Sequence, residues 1–386
     1  MHKAFTYRLY PNREQTSALE RTLEIHRRLY NDALQWRKAA YEESGKSVKY
    51  GEQSAELTKL RIGNEYFSQA NFSSCQHTLR RLNTAFQNFF ARLKKGENPG
   101  YPRFKGIGRF DSARFTYADG CRIKDGKLAL QYIGALKVKW HRELPEDSRI
   151  TSVTVRRKAG EWYVVFHLEL PNIEVAPSAN PPVGIDLGLK AFLVTSDGEF
   201  VEPSKFFQKA QKKLRVAQRA LARKKRGSNR RKKAVRKVAK LHHHIGNQRK
   251  DFHHKTARKL VNQYGFIAHE DLNTKGLSRG MLAKQVNDAG WGNFLNILRF
   301  KAECAGVAVV GANPAYTTQA CSACGCLPVK KIDLSVRVYH CESCGLVLDR
   351  DINAAINVLQ KAWTEPSGAN VEVVNSCVAR EAVCFS

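Results

Sequence analysis

Four cysteines form two Cys-x-x-Cys pairs, Cys321 with Cys324 and Cys341 with Cys344, and sixteen residues separate the pairs. A glycine, which favours a tight turn, follows each pair directly. Four thiolates can surround one Zn²⁺ tetrahedrally and leave no position open for water or substrate. The spacing therefore predicts a structural Zn²⁺ site. A redox dithiol is the alternative for a Cys-x-x-Cys pair, but two matched pairs favour the metal.

Three acidic residues make a second group, although they are far apart in the sequence. Asp186 and Glu270 each end a short apolar run, and Asp351 lies at the start of a predicted helix. Individually they have simpler explanations, because Asp186 suits a turn and Asp351 suits a helix cap. Together, three carboxylates in one domain offer the hard oxygen ligands that Mg²⁺ prefers. Such a site can activate water and stabilise the leaving oxygen during phosphodiester hydrolysis, so catalysis is one interpretation of the group.

The charge of the chain is the third feature. Its 386 residues include 65 Lys and Arg against 35 Asp and Glu, a formal net charge of +30. Between Lys205 and Lys250 there are 19 basic and no acidic residues, so this basic segment carries +19 of the total. A local excess of this size on a chain with 42% hydrophobic residues indicates a folded protein that binds a polyanion, most simply nucleic acid. A solvated helical face is the alternative.

The elements that must position these residues fall into two parts. Up to residue 170, the pattern predicts a strand (4–9), two amphipathic helices (19–36 and 75–93) and then only strands. A β-barrel interrupted by a helical lobe, inserted at about residues 12–100, fits this order. The predicted strands that follow the helices are 110–117, 127–132, 136–140, 150–157 and 162–170.

Beyond a Pro- and Asn-containing linker, 171–182, strands and helices alternate. This alternation predicts an α/β domain with a mixed sheet, and the whole chain is therefore expected to be a multidomain α+β protein. The apolar positions of the predicted helices, including Trp36, Phe90 and Val235, are expected to face cores. The His253-His254 pair is expected to be polar surface.

The amino-terminal residues contain no apolar run typical of a signal peptide, and no apolar stretch approaches the roughly 18 residues that span a bilayer. The cysteine pattern indicates metal binding rather than disulfides. We therefore expect a cytoplasmic protein with no membrane partner.

The ordered combination of motifs resembles the TnpB (OrfB) proteins encoded by bacterial and archaeal insertion sequences. GIDLGLKAF, HEDLNTKGL and DRDINAAIN contain Asp186, Glu270 and Asp351 and are similar to that family's three RuvC-like motifs. AYTTQACSACG and CESCGLVLDRD resemble its zinc ribbon, and KAFTYRLYPNREQ and GYPRFKG resemble its amino-terminal motifs. The resemblance extends from about residue 3 to residue 360.

This resemblance implies an RNA-guided DNA endonuclease that binds a guide RNA and cuts target double-stranded DNA beside a short flanking motif. Residues 1–175 would form a wedge-type barrel with its helical lobe, and residues 176–360 a RuvC-like (RNase H-like) nuclease domain. The nuclease domain would include a basic helical insertion at 205–262 and a zinc ribbon at 315–348, with a tail at 361–386. Asp186, Glu270 and Asp351 would hold Mg²⁺, and Cys321, Cys324, Cys341 and Cys344 would hold Zn²⁺. The alternatives are a catalytically silent, RNA-guided DNA-binding regulator and a transposition accessory protein.

Overall fold

The structure, a computed structural model, describes residues 2–171, 175–330, 332–333 and 335–364. The chain divides into two compact units, Met1–Ile173 and Glu174–Ser386. Most of the predicted tail at 361–386 lies outside the described residues, as does part of the predicted linker. Among the residues that are described, no helix combines the length and the apolar character needed to cross a membrane.

The first unit is built on a seven-stranded antiparallel sheet with the order β2-β6-β7-β1-β5-β4-β3. Its central strand β1 pairs with β7 on one side and with β5 on the other. Among the described residues no pairing joins the edge strands β2 and β3, so closure into a barrel stays a prediction. The strands are β1 His2–Tyr10, β2 Ser112–Thr116, β3 Cys121–Lys124, β4 Lys127–Leu130, β5 Gly134–Lys139, β6 Arg149–Lys158 and β7 Glu161–Glu169.

Four helices lie between β1 and β2 in the sequence: α1 Arg13–Ser44, α2 Tyr50–Gly63, α3 Glu65–Ser68 and α4 Phe72–Lys94. A reciprocal capping box begins α1, in which the Asn12 side chain accepts from the backbone N–H of Gln15 and the Gln15 side chain accepts from that of Asn12. The predicted helices correspond to α1 and α4, whereas α2 and α3 were not predicted.

Two side chains predicted to face the core of this unit are exposed instead. Trp36 is 37% exposed because its neighbour Arg37 takes the inward position and donates to Gln53 of α2, at 2.8 Å. Phe90 is 48% exposed because the buried face of α4 ends with Phe86. Helical periodicity therefore identified most of each buried face, but Trp36 lies beside the buried face of α1 and Phe90 lies beyond the end of that of α4.

The second unit contains a mixed five-stranded sheet, as the alternation of strands and helices predicts. Its order is β10-β9-β8-β11-β12, in which β8, β11 and β12 are parallel and β9 and β10 are antiparallel additions. The strands are β8 Pro182–Asp186, β9 Leu193–Thr195, β10 Phe200–Val201, β11 Phe266–Glu270 and β12 Ala308–Ala312. A separate two-stranded ladder pairs β13 Val338–His340 with β14 Val347–Asp349. The helices are α5 Phe206–Ala222, α6 Asn229–Gln263, α7 Thr274–Leu277, α8 Ala283–Ala289, α9 Trp291–Glu303 and α10 Arg350–Thr364.

Helix α10 packs closely across β8. A Cβ added at Gly184 would lie 1.9 Å from the carbonyl oxygen of Ala355, so only glycine permits this approach. Ala354, Ala355 and Val358 of α10 are fully buried at the contact. The close packing places the first turn of α10 beside the carboxyl end of β8.

Helices α5 and α6 carry the basic segment and pack against each other, and one acid on α8 contacts both. The buried carboxylate of Asp288 accepts hydrogen bonds from the backbone N–H groups of Phe207 and Gln208 in the first turn of α5. It also pairs with Arg249 of α6, at 3.2 Å. The capping residue Lys205 makes no side-chain bond to α5, so Asp288 replaces it from another element.

Two predictions for the basic helices were wrong. Val235 is 46% exposed, because the apolar stripe is buried on α5, at Leu214 and Ala217, and not at this position of α6. His253 is fully buried instead of lying on the surface. Its ring stacks on Phe192, and one ring nitrogen lies 2.8 Å from the carbonyl oxygen of Ala289, so its polar atom has a partner in the core.

Candidate active site

Asp186 and Glu270 end neighbouring parallel strands. Ile185 of β8 is in register with His269 of β11, so the next residues along the two strands are Asp186 and Glu270. Adjacent strands lie about 4.8 Å apart, and in-register neighbours project from the same face. The sheet therefore brings together two acids that are 84 positions apart in the sequence.

Asp351 joins them from the first turn of α10. Burial and, after it, the negative charges of Glu270 and Asp351 raise the pKa of Asp186 to about 7, and the contribution of those charges requires both carboxylates to lie nearby. Arg350 opposes this shift. The three acids singled out in the sequence thus lie within electrostatic range of each other, and their mutual repulsion favours a bound cation or proton.

The capping role considered for Asp351 belongs to Asp349 instead. The Asp349 carboxylate accepts from the backbone N–H groups of Asp351, at 2.8 Å, and Ile352, at 3.3 Å. Asp351 is instead contacted by two arginines. Its Oδ1 lies 2.9 Å from Arg350 and its Oδ2 lies 3.2 Å from Arg337, which precedes β13.

Glu270 is 7% exposed, and burial raises the pKa of its carboxyl group. The Thr317 hydroxyl donates a hydrogen bond to Glu270 Oε1, and this bond opposes the shift. Among the described residues, Oε2 has no hydrogen-bond partner and is available to a ligand. Thr317 was not identified from the sequence, where the threonine pair before the first cysteine is the only sign of it.

The neighbouring His269 holds this strand end in place. The ring is fully buried, with Nδ1 2.8 Å from the Glu270 carbonyl oxygen and Nε2 3.0 Å from a guanidinium nitrogen of Arg299. Because the guanidinium can only donate, Nε2 must accept and Nδ1 must carry the proton. Burial lowers the pKa of His269, which keeps the ring neutral. Sequence reasoning did not assign it a role.

The four cysteines predicted to bind zinc converge on one point. Their sulfur atoms all lie within 4.8 Å of one another. The Sγ atoms of Cys321 and Cys344 are 3.6 Å apart, as are those of Cys324 and Cys341. Four sulfurs about 2.3 Å from a central Zn²⁺ would be separated by roughly 3.8 Å, so the donor set and its spacing fit a tetrahedral zinc site.

Helix α10 is hydrogen-bonded to the first cysteine pair. Asn353 accepts from the backbone N–H of Ser322, at 2.9 Å, and donates to the carbonyl oxygen of Ala320, at 2.8 Å. Asn357, one turn later, donates to the carbonyl oxygens of Thr317 and Ala320. Both asparagines are buried, so the cysteine cluster and two of the three acids belong to one hydrogen-bonded assembly.

Basic side chains form grooves in each unit. On α6, a groove of about 400 Å³ is lined by Lys233, Arg236, Lys237 and Lys240, with no acidic residue in its lining. In the first unit, Arg80 and Arg81 of α4 and Arg114 of β2 line a cavity of about 450 Å³. Positive grooves of this kind are suited to phosphate groups.

Three family models match separate parts of the chain. Residues 165–281, which include Asp186 and Glu270, match the OrfB family of IS605 elements, described as a "Probable transposase". Residues 291–358, with the four cysteines and Asp351, match the "Cas12f1-like, TNB domain". Residues 1–46 match the OrfB "Helix-turn-helix domain", although the structure has one strand and one long helix there.

Curated relatives align along most of the chain. A "Putative RNA-guided DNA endonuclease" of Streptomyces pristinaespiralis is 36% identical and covers 92% of this chain and 88% of its own length. The "Putative RNA-guided DNA endonuclease InsQ" of Escherichia coli K12 is 30% identical and covers 92% of this chain and 91% of its own length. A solved structure of the mini RNA-guided endonuclease CRISPR-Cas phi3 has a TM-score of 0.48 at 10% identity, over 94% of this chain and 92% of that one. At this TM-score the structural likeness adds nothing to the identity of the relatives. On the strength of those relatives and of the OrfB models, the chain belongs to the TnpB (OrfB) family of insertion-sequence proteins.

Proposed function

We propose that this protein is an RNA-guided DNA endonuclease that hydrolyses target phosphodiesters at Asp186, Glu270 and Asp351. The observation that carries the proposal is the convergence of these three acids, one from each of β8, β11 and α10, in the same unit as a strongly basic helical pair. The names of the relatives support the same activity.

The three carboxylates would hold Mg²⁺, which supplies the positive charge that an anionic phosphodiester and its leaving oxygen require. Oxygen ligands are the donors that Mg²⁺ prefers. The pKa of Asp186 is raised by burial and by the negative charges of Glu270 and Asp351, and a bound cation would relieve that repulsion. Thr317 orients the Glu270 carboxylate through Oε1 and leaves Oε2 open. Arg337 and Arg350 limit the charge at Asp351 and orient its two oxygens.

We assign the partners from the names of the relatives, which describe RNA-guided DNA endonucleases. A guide RNA would pair with one strand of a double-stranded DNA target next to a short flanking motif. The first unit, interpreted as a wedge-type barrel with an inserted helical lobe, would hold the guide RNA and the guide–target heteroduplex. The second, interpreted as RuvC-like with a structural zinc ribbon at 315–348, would cut. In such systems base pairing reads the sequence, and the protein reads backbone shape.

The test is guided cleavage by the purified protein–RNA complex in the presence of Mg²⁺. The wild type should cut a matching target, whereas Asp186→Asn, Glu270→Gln and Asp351→Asn should each bind the target and leave it intact. Asp271→Asn is the matched control, since this exposed acid directly follows Glu270. Cleavage that survives the triple substitution would refute the assignment of the site.

One observation favours a second candidate, a guided DNA-binding regulator without nuclease activity. Both oxygens of Asp351 form ion pairs with arginines, so this acid has cationic partners without a metal. A complex that binds its target tightly but gives no product at any Mg²⁺ or Mn²⁺ concentration would establish this alternative.

A further inference from the structure

An exposed aromatic surface lies at the carboxyl end of α4, away from the acids and the cysteines in the sequence. It consists of Phe89 and Phe90 of α4 together with Tyr101, and we call these three residues the aromatic platform. Ring centroids are 5.1 Å apart for Phe89 and Phe90 and 5.3 Å apart for Phe89 and Tyr101, both in edge-to-face geometry. Phe90 and Tyr101 are 48% and 45% exposed, so a large apolar area faces solvent.

The aromatic platform packs against a buried side chain of the same helix. Phe86 is buried beneath it, with its ring 5.6 Å from Tyr101 and 6.4 Å from Phe90. The guanidinium of Arg37 lies on the Phe86 ring, 4.9 Å from its centroid. The exposed rings therefore rest on the core of the unit, which limits the conformational freedom lost when they bind a ligand.

The segment that carries Tyr101 is hydrogen-bonded to helices at residues before and after this tyrosine. Arg92 of α4 donates to the carbonyl oxygen of Pro99, at 3.4 Å. Asn31 of α1 accepts from the backbone N–H of Lys105 and donates to its carbonyl oxygen, at 2.8 and 3.0 Å. Tyr101 is thus presented from a segment that is hydrogen-bonded to two helices.

The surroundings are strongly basic. Between Arg92 and Arg109 the chain has six Lys or Arg and one Glu, a net charge of +5. Lys94, Lys95 and Arg103 in this stretch are exposed. A second copy of the same surface would bring two such charges together, so self-association is disfavoured and an anionic partner is favoured. Aromatic rings combined with basic side chains are the means by which proteins bind unpaired nucleotides, because bases stack and phosphates pair with the cations.

We propose that the aromatic platform binds single-stranded nucleic acid, with unpaired bases stacked on Phe90 and Tyr101 and phosphates contacted by the surrounding lysines and arginines. The inference rests on the proposed function only in that a guided nuclease handles both RNA and displaced DNA strands. Duplexes present no free base faces except at their ends, so the platform distinguishes unpaired from paired strands.

The experiment uses the full-length protein in the Asp186→Asn/Glu270→Gln/Asp351→Asn background, so that oligonucleotides are not degraded. RNA and DNA oligonucleotides containing 5-iodouracil are bound and irradiated, and the crosslinked peptides are identified by mass spectrometry. We expect crosslinks at Phe90 or Tyr101 with single strands and not with the matching duplex. The RNA and DNA arms establish which of the two strands the platform takes.

Affinity provides the second readout. Replacing both Phe90 and Tyr101 with Ala should weaken single-strand binding about tenfold or more and leave duplex binding unchanged. The dependence of affinity on salt should stay the same, because the phosphate contacts remain. Tyr41→Ala is the matched control, since this tyrosine is 67% exposed on α1 and lies outside the platform. Thermal unfolding of each variant confirms that the fold is retained.

The inference is overturned if the double variant binds single strands as the wild type does and no crosslink maps to either ring. It is also overturned if the wild type forms a concentration-dependent dimer that the double variant cannot form, with unchanged affinity for nucleic acid. Neither readout requires cleavage. If the wild type cuts its guided target but the platform does not bind bases, the proposed function still holds and the platform inference fails. If bases stack on the platform but the protein never cuts, the platform inference holds and the proposed function fails.

Discussion

The hydroxyl group of Thr317 donates a hydrogen bond to Oε1 of Glu270. Thr317 lies four residues before the first cysteine of the cluster, and the Asn357 side chain of α10 donates to its carbonyl oxygen. The acid at the end of β11 is therefore oriented from the cysteine-rich segment, and this connection leads to the first prediction.

Replacing Thr317 with Val should weaken metal binding at the acids. Valine keeps the shape of threonine but removes the donor, and a hydrogen bond to a charged group contributes about 1.5–3 kcal/mol. We expect the Mg²⁺ concentration for half-maximal cleavage to rise roughly tenfold or more, and Mn²⁺ binding measured by electron paramagnetic resonance to weaken in parallel. Target binding should not change.

Thr317→Ser serves as the control because it retains the hydroxyl group, and it should behave as the wild type does. Equal metal dependence in the Val and Ser variants would show that the bond to Glu270 has no part in metal binding.

The raised pKa of Asp186 predicts how metal binding depends on pH. Below about pH 7 the carboxyl group is protonated in the metal-free protein, so Mg²⁺ must displace a proton. Lowering the pH from 8 to 6 should therefore weaken the apparent Mg²⁺ affinity, by about tenfold per pH unit once the pH is below about 7. Mg²⁺ titrations of the cleavage rate at several pH values measure this, and a pH-independent requirement would contradict it.

The same shift predicts a change in stability without metal. Between about pH 4 and pH 7 the native protein keeps a proton that the unfolded chain has lost, so the free energy of unfolding decreases as the pH rises through this window. Asp186→Asn cannot ionise, and in EDTA at pH 8 we expect it to unfold at a higher temperature than the wild type. At pH 4 the difference should vanish. If the difference in unfolding temperature between the wild type and this variant were the same at pH 4 and pH 8, the raised pKa of Asp186 would be refuted.

Zinc should depend on the four clustered cysteines and not on their neighbour. Cys341→Ser removes one of four thiolates and should abolish stoichiometric zinc, measured by elemental analysis, and destabilise the second unit, because metal binding and folding are coupled. Cys326 is exposed and outside the cluster, so Cys326→Ser should keep one zinc per chain. Full zinc content in the Cys341 variant would exclude ligation by all four cysteines.

Asp288 should stabilise the start of α5. Loss of a capping carboxylate typically costs about 1–2 kcal/mol, and Asp288→Ala also leaves Arg249 without its partner. Hydrogen exchange at the amides of Phe207 and Gln208 should accelerate, which measures this helix end directly. Asp251→Ala is the control, because that acid is 63% exposed and pairs with Lys255 one turn away. Equal exchange at α5 in both variants would refute the capping role.

The proximity of Asp186 and Glu270 could be predicted because each acid ends an apolar strand, and parallel strands bring their carboxyl ends to one edge. The convergence of the four cysteines could also be predicted, because two matched Cys-x-x-Cys pairs are typical of a zinc site. The capping residue was less obvious, because Asp349 and Asp351 are both close to the start of α10, and only the hydrogen bonds show that Asp349 is the cap.

The remaining parts of the site depend on tertiary contacts that leave no periodic signal. Thr317, Arg337 and Asn353 act across 14 to 47 residues of sequence, and their types are common in loops and helices. The prediction that His253 lies on the surface was wrong for a similar reason. A histidine in a basic helix resembles a surface residue until the aromatic rings and the carbonyl oxygen that surround it are known.

The hydrogen bonds between α10 and the cysteine cluster also determine how this protein can be re-engineered. Asn353 and Asn357 bind backbone groups of residues 317, 320 and 322, so a foreign metal-binding module could replace this one only if it presented the same carbonyl and amide groups. The loop between the cysteine pairs is less constrained at Val329, which is 91% exposed. A fluorophore or an affinity peptide inserted at this position would leave the bonds to α10 intact, which makes it a suitable attachment point for a label.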